Sequence, residues 1–201
     1  MTKMVDEVTK EINMPKIFSE NDKQVLRKKL IEAGIKKLEH SRYKSISVEE
    51  VALEVGIAKG TFYNFFPSKE LFFYEIMQYI KEENRKPLRE LTENATIADI
   101  AECLFQRYMS VKTVYHYFTA DEIKQIMRRL PEGDNENDSE EFAKLLCEQV
   151  GECKGKPETV VSMCNILAIA AANRSLMESS GYETAIRIYC ETLAKYMVKG
   201  E

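Results

Sequence analysis

Several features that define other classes of protein are missing from this 201-residue sequence. The longest unbroken apolar run is seven residues, Ile166 to Ala172, whereas a membrane-spanning helix needs about 20. The start of the chain is polar, mixed in charge and without the apolar stretch of a secretory signal. We therefore expect a cytoplasmic protein that has no membrane partner.

Catalytic and metal-binding signatures are missing as well. The chain has two histidines, His40 and His116, and no G-x-S-x-G, H-E-x-x-H or glycine-rich phosphate loop. Its five cysteines are scattered and form no C-x-x-C pair, which argues against a zinc site or a disulfide framework. We predict a protein that is not an enzyme and uses no cofactor or metal. The cysteines are interpreted as buried, reduced thiols, with a redox sensor as the alternative.

Glycine and proline are also scarce, at 8 and 5 residues. Nearly every segment repeats its apolar residues with a 3.6-residue period, so the fold is predicted to be all-α, with about nine helices. The predicted helices cover residues 22–39, 47–56, 59–65, 69–86, 97–118, 121–130, 141–150, 157–178 and 182–198.

Charge is distributed unevenly along the chain. The net charge is −4, which by itself argues against a nucleic-acid partner. Between Lys23 and Lys69, however, ten Lys and Arg stand against five Glu, a local charge of +5. From Lys81 onward the balance is 16 basic against 21 acidic residues, or −5. A basic segment of this kind indicates where an anionic partner would bind.

Residues 47–65 have the pattern of a helix-turn-helix. Ser47 can cap a short helix, and Gly56 suits the left-handed residue that ends it. A second short helix follows from Lys59 to Phe65. In this motif the second helix lies in the DNA major groove, and its first residues reach the base edges.

The aromatic residues of that second helix divide between two faces. Phe62 and Phe65 are three residues apart and are expected to pack against the first helix of the chain. Tyr63 and Asn64 fall on the exposed side, where they can donate to phosphates or bases. Small residues at the start of the helix allow its backbone to approach DNA closely.

Three segments of the N-terminal part are LIEAGIKKL from Leu30, ISVEEVA from Ile46 and VGIAKGTFYNFFPSKEL from Val55. Together they resemble the N-terminal domain of TetR (tetracycline-repressor) family transcriptional regulators. The resemblance covers about fifty residues, Val25 to Leu71, and its G-T-F-Y…F…S-K-E-L block is far more specific than a general helix-turn-helix. Beyond it, the chain matches the family only in overall layout.

The resemblance implies roles for particular residues. Residues 59–61 read or approach bases, Tyr63 contacts a phosphate or a thymine methyl, and Lys69 pairs with phosphate. Two departures from the family pattern affect this surface. Ala58 removes the usual hydroxyl cap of the second helix, and Arg42 before Tyr43 replaces a glycine and places a cation near the backbone. The residues predicted to bind DNA are Ser47, Lys59, Gly60, Thr61, Tyr63, Asn64, Lys69, Arg42 and Tyr43.

The resemblance also implies three parts of the chain. Residues 1–21 form a flexible N-terminal extension, and 22–68 form the helix-turn-helix DNA-binding domain. Residues 69–201 form a helical ligand-binding and dimerisation domain, of which 69–86 is the linking helix. Gly34 and Leu38 replace the usual Ala and Phe of the family, which predicts looser packing of the first helix.

A small-molecule inducer pocket is expected among the central helices, where large and adaptable side chains concentrate. Its predicted lining is Phe105, Tyr108, Met109, Tyr115, His116 and Met127, with the alternative that such a stripe is more often plain core. The last two helices carry apolar stripes expected to form a homodimer interface, with burial inside one subunit as the alternative. The stripes contain Val160, Cys164, Leu167, Ala168 and Ala171, and then Ile186, Tyr189 and Leu193.

These observations favour a repressor that a small molecule releases from a palindromic double-stranded DNA operator. In that interpretation, the ligand shifts the linking helix and moves the two reading helices out of register with successive major grooves. The alternative is a DNA-binding regulator of the same fold whose C-terminal body responds to a protein partner or to no inducer.

Overall fold

The structure, a computed structural model, describes residues 19–91, 94–109, 112–130, 138–151, 153–177 and 180–200. Within these ranges the regular structure is entirely helical, which confirms the all-α prediction. Residues 1–18, most of the predicted N-terminal extension, lie outside them. The eleven described helices are α1 Glu20–Leu38, α2 Val48–Val55, α3 Lys59–Phe65, α4 Lys69–Arg89, α5 Ile97–Met109, α6 Val114–Tyr117, α7 Ala120–Met127, α8 Asp138–Gln149, α9 Pro157–Ala172, α10 Arg174–Met177 and α11 Tyr182–Lys199.

Side-chain caps set the starts of the N-terminal helices. The Ser19 hydroxyl accepts from the Asp22 backbone N–H at 3.1 Å, and the Asp22 carboxylate accepts from the Ser19 backbone N–H in return. The Ser47 hydroxyl accepts from the backbone N–H of Glu50 at 3.1 Å, so this residue caps α2 as predicted. Gly56 ends α2 with a φ of 77°, a left-handed conformation that favours glycine.

Two hydrophobic cores meet along α4. The first joins α1 to α4 with α6 and α7, and its largest fully buried side chains are the phenylalanines at 62, 66, 72, 73 and 118. The second joins the end of α4 to α5, α8, α9 and α11. Helix α4 therefore contributes buried residues to both cores.

The crossing of α1 and α4 is tight at Gly34. A Cβ added there would lie 2.5 Å from the Ile76 Cδ1 atom and 2.6 Å from the Phe72 Cζ atom. Both neighbours are buried in the first core. The prediction that Gly34 loosens the packing of α1 is therefore wrong, because the missing methyl is what allows α4 to approach.

Alanine substitutions at two helical glycines separate this clash from helix propensity. Gly34→Ala and Gly60→Ala both gain the propensity of alanine, roughly 1 kcal/mol within a helix. A Cβ at Gly60 meets nothing within 4 Å, whereas a Cβ at Gly34 overlaps two buried side chains. We expect the Gly34 variant to be less stable than the Gly60 variant by about 1–3 kcal/mol. Urea unfolding measures the difference, and equal stabilities would contradict the tight crossing.

Several predicted helix boundaries differ from the structure by three residues or more. Helix α4 continues through Pro87 to Arg89, because the fully buried Leu88 holds its last turn in the second core. The helix predicted over 97–118 is divided into α5 and α6, and Thr113, in an extended conformation, precedes α6. The helix predicted over 157–178 ends at Ala172, where the Asn173 side-chain amide donates to the Ile169 carbonyl at 2.8 Å.

No helix in the described ranges combines the length and apolar character that crossing a membrane requires.

Candidate nucleic-acid interface

Helix α3 presents its first turn outward. Lys59, Gly60 and Asn64 are exposed, and Tyr63 keeps 40% of its surface. Thr61 is half-buried. Since a Cβ at Gly60 would meet nothing within 4 Å, this glycine is not required by any contact within the described chain. The surface is therefore open for a partner that approaches the backbone of α3.

The opposite side of α3 is fixed in the first core. Phe62 is fully buried, and its ring meets that of Phe72 edge to face with a centroid distance of 5.0 Å. Phe65 is half-buried against the same core. The Tyr63 ring also meets Phe62 edge to face, at 5.5 Å, which restricts its orientation. The predicted division of the aromatic residues between core and surface is confirmed.

Arg27 has a structural role at the other end of α3. Its guanidinium donates to the Phe65 carbonyl at 3.0 Å, pairs with Glu75 of α4 and lies 4.6 Å from the centre of the Phe66 ring. The guanidinium thus binds a terminal carbonyl of α3 and joins three helices. In the sequence, Arg27 belongs to a basic run with Lys28 and Lys29 that resembles a phosphate-binding face. The run does not indicate that Arg27 contacts residues of α3 and α4, because those residues are distant in sequence.

Lys69, at the start of α4, fixes the turn between α1 and α2. Its ammonium donates to the Lys44 carbonyl at 3.0 Å and lies 5.8 Å from the ring centres of both Tyr43 and Phe73. Burial lowers the pKa of Lys69 below its usual value. The predicted contact between Lys69 and a DNA phosphate remains a proposal. A phosphate bound there would share the Lys69 ammonium with the Lys44 carbonyl.

Tyr43 is placed in the core, which corrects its assignment to the DNA surface. Its ring is 8% exposed and packs against Phe73 and Phe118, and its hydroxyl donates to Gln125 of α7 at 3.3 Å. Arg42 is exposed but lies toward the body, with a guanidinium nitrogen 4.0 Å from the Glu122 carboxylate. Both residues therefore belong to the junction between the helix-turn-helix and α7.

Carboxylates moderate the positive charge around the helix-turn-helix. The Lys59 ammonium pairs with Glu49 of α2, which raises the pKa of the lysine and lowers that of the glutamate. Lys36 and Lys37 of α1 both pair with Glu54. The Lys59 and Lys36 ammoniums are exposed, so their pairs restrain them weakly, and phosphates can replace the carboxylates as partners.

Three of the predicted ligand residues, Tyr108, Tyr115 and His116, line one cavity of about 230 Å³. Arg42 reaches it from the DNA-binding side and Arg174 from α10. The other lining residues are Thr113, Thr119, Ala171, Ala172 and Ser175. The described residues contain no group of three or more His, Cys, Asp or Glu side chains that could hold a metal.

The other three predicted ligand residues lie outside that cavity. Phe105 is buried, and its ring lies 3.7 Å from the guanidinium of Arg187 on α11. Met109 packs against the second core, while Met127 packs against the first. Their role in ligand binding stays a prediction.

Most of the residues predicted to form the dimer interface are buried within one subunit. Ala168 and Tyr189 are half-buried against the second core. The buried members are Val160, Cys164, Leu167, Ala171, Ile186 and Leu193. They hold α9 and α11 against α5 and α8. For these residues the alternative to a dimer interface, burial inside one subunit, therefore applies. The large exposed apolar residues of the same helices are Ile166, Ile169 and Ile188.

Helices α2 and α3 form a helix-turn-helix whose second helix is exposed on one side and fixed by the buried Phe62 on the other. Residues 30–76 match the family described as bacterial regulatory proteins, tetR family. The match is confined to the N-terminal helices, the region in which the sequence resembles this family.

A curated relative matches the same region. Over 52 residues the chain is 42% identical to a protein of Bacillus subtilis (strain 168) named Uncharacterized HTH-type transcriptional regulator YuxN. The match covers 26% of this chain and 18% of that protein, less than a fifth of the relative's length. The similarity therefore concerns only a segment of 52 residues.

Proposed function

We propose that this protein is a DNA-binding transcription regulator. In this proposal it binds a palindromic operator as a homodimer, acts as a repressor and is released by a small-molecule ligand. The observation that carries the proposal is the exposed first turn of α3, held rigidly from behind by the buried Phe62. A helix presented in this way, at the most basic part of the chain, suits the major groove of duplex DNA.

Dimerisation is proposed through the exposed faces of α9 and α11. Ile166 and Ile169 lie on one face of α9 at 52% and 60% exposure, and Ile188 on α11 is 58% exposed. Exposed small residues, Ala185 and Thr192, occupy neighbouring positions on the α11 face. An apolar face edged by small residues allows two helices of a second subunit to approach closely.

The lining of the 230 Å³ cavity indicates the class of ligand. Two arginines, Arg42 and Arg174, line it together with His116 and with tyrosine, threonine and serine residues. Such a set of donors favours a small molecule that carries a carboxylate or phosphate group. Because Arg42 belongs to the DNA-binding domain and Arg174 to the body, a ligand held by both would bias their relative position.

Selection from random duplex DNA tests the regulator proposal. The wild-type chain is expected to enrich a palindromic sequence, whereas a Thr61→Ala/Tyr63→Ala variant is expected to enrich none. Both proteins share the same buried core, so they differ only at the reading surface. Recovery of unrelated sequences by both proteins would refute sequence-specific recognition.

Thermal shift tests the ligand class. Small carboxylates and phosphates are expected to raise the Tm of the wild-type protein, and Arg174→Gln is expected to weaken the binding about tenfold or more. Lys154→Gln, an exposed change outside the cavity, is the control. Stabilisation that persists in the Arg174 variant would place the ligand elsewhere.

A further inference from the structure

Two cysteines outside the DNA and ligand sites lie side by side. Cys147 belongs to the last turns of α8, and Cys153 stands in the connection to α9, with their Sγ atoms 2.8 Å apart. Both side chains are half-buried, whereas the other three cysteines, at 103, 164 and 190, are buried. A disulfide bond is about 2.05 Å long, so the two sulfurs need only a small approach to join.

The position of Cys153 is fixed by the end of α11. The Lys154 backbone N–H donates to the Met197 carbonyl at 2.8 Å, and the Lys156 backbone N–H donates to the Tyr196 hydroxyl at 3.1 Å. Gly155 packs so closely that a Cβ there would lie 2.8 Å from the Tyr196 ring. The connection is thus anchored on both sides of Gly155, and Cys153 is held toward α8.

Both cysteines border a groove that is large enough for a small reagent. Cys147 and Cys153 line a groove of about 880 Å³ between α8 and α9, together with Lys144. Burial and the contact with Cys153 raise the pKa of Cys147, which slows its own reaction with an oxidant. The first oxidation is therefore assigned to Cys153, and Cys147 is the neighbouring thiol that resolves it.

We propose that Cys147 and Cys153 form a hydroperoxide-reactive dithiol that closes reversibly to a disulfide. The Cys153 thiolate attacks the O–O bond of the hydroperoxide, gives a sulfenic acid and releases an alcohol, or water when the oxidant is hydrogen peroxide. The Cys147 sulfur then displaces the sulfenic oxygen, which leaves as water with the thiol proton. In sum, two thiols and one hydroperoxide give one disulfide, one alcohol or water, and one further water.

A disulfide between Cys147 and Cys153 would act on the DNA-binding domain through the contact between α8 and α4. Helix α8 also carries Glu141, whose carboxylate accepts from both terminal nitrogens of Arg85 on α4, at 3.1 and 2.8 Å. A bond at Cys147 would fix the end of α8 to a connection anchored on α11, and so alter the support that α8 gives α4. Oxidation is expected to change DNA affinity, a consequence that rests on the function proposed above.

Mass spectrometry tests the dithiol without reference to DNA. After limited treatment with hydrogen peroxide, wild-type protein should lose two hydrogens and yield a peptide joined through Cys147 and Cys153, both reversed by dithiothreitol. Cys103→Ser, which removes a buried thiol of α5, should behave as wild type. Cys147→Ser should stop at the sulfenic acid. A disulfide to Cys164, a bond between two chains, or over-oxidation without a disulfide would overturn the proposal.

Gel shifts on the selected operator test the consequence. Oxidation should change the Kd of wild-type protein about fivefold or more and leave that of Cys153→Ser unchanged. A confirmed disulfide with an unchanged Kd would refute the coupling through α8 and α4. If selection yields no operator, the regulator proposal fails, while the mass measurement still decides the dithiol.

Discussion

Thr61→Ala and Tyr63→Ala are each expected to weaken binding to the operator by about 10- to 100-fold, and to leave non-specific binding nearly unchanged. Each removes one group that can meet a base edge or methyl, and such a contact is worth roughly 1–3 kcal/mol of discrimination. Neither residue belongs to the buried core, so the fold should persist. Fluorescence anisotropy with operator and scrambled duplexes measures both affinities.

Gly60→Ala gives a sharper form of the same test. In the free protein the added methyl meets nothing within 4 Å, so stability should be retained or raised. In a complex, the methyl would project from the first turn of α3 toward the DNA and hold the backbone away. We expect at least a tenfold loss of operator affinity, about 1.4 kcal/mol. A variant that is more stable and binds DNA as tightly as wild type would show that another surface reads the operator.

The dependence of DNA affinity on salt concentration distinguishes contacts to bases from contacts to phosphates. Lysines that contact phosphates contribute to the slope of affinity against salt, whereas contacts to base edges do not. The Thr61 and Tyr63 variants should therefore keep the wild-type slope. A reduced slope in either variant would mean that its side chain acts by positioning a phosphate contact.

The helix-turn-helix was predictable from sequence because its signals are local. Ser47 and Gly56 act within a few residues of their own positions, as a cap and as a left-handed terminus. Phe62 lies on the buried face, as its three-residue spacing from Phe65 indicates. Each feature depends on backbone geometry over one or two helical turns, so the spacing of residues in the sequence is enough to predict it.

The junctions were not predictable, because their contacts join residues far apart in the chain. Tyr43 reaches Gln125, and Arg27 reaches Glu75. Nothing local distinguishes these two side chains from others in a basic segment. The Cys147–Cys153 pair is nearer in sequence, yet its geometry depends on an anchor supplied by α11.

The apolar stripes of α9 and α11 show a second limit of prediction from sequence. An apolar period identifies a helix face that will be buried but does not identify what buries it. Cys164 and Leu193 are covered by their own chain, while Ile169 and Ile188 are left exposed between such positions. Helices that are apolar on more than one face require the structure to assign each face to its partner.

Ile169→Asp combined with Ile188→Asp is expected to convert the dimer to a monomer. Both side chains are about 60% exposed in one chain, so a charge there meets water in the monomer. In the proposed interface, four such carboxylates would be buried or brought together, at a cost of several kcal/mol. Light scattering after size exclusion measures the mass, and urea unfolding at low concentration checks that the monomer remains folded.

A matched control is available on α2. Leu53 is 78% exposed and apolar but lies in the helix-turn-helix, so Leu53→Asp should leave the mass of the dimer unchanged. The same light-scattering measurement separates loss of an interface from a general effect of a surface charge. A double isoleucine variant that still has the mass of two chains would contradict the proposed interface.

The monomeric variant should also lose operator binding by about 100-fold or more, although its reading helix is untouched. A single helix-turn-helix contacts one half-site, whereas a dimer places two reading helices about 34 Å apart, one turn of DNA, and doubles the phosphate contacts. On a duplex with one half-site, wild type and variant should bind with similar, weak affinity. If the monomer bound the full palindrome as tightly as wild type, recognition would reside within one chain, and the two-fold symmetry of the operator would require another cause.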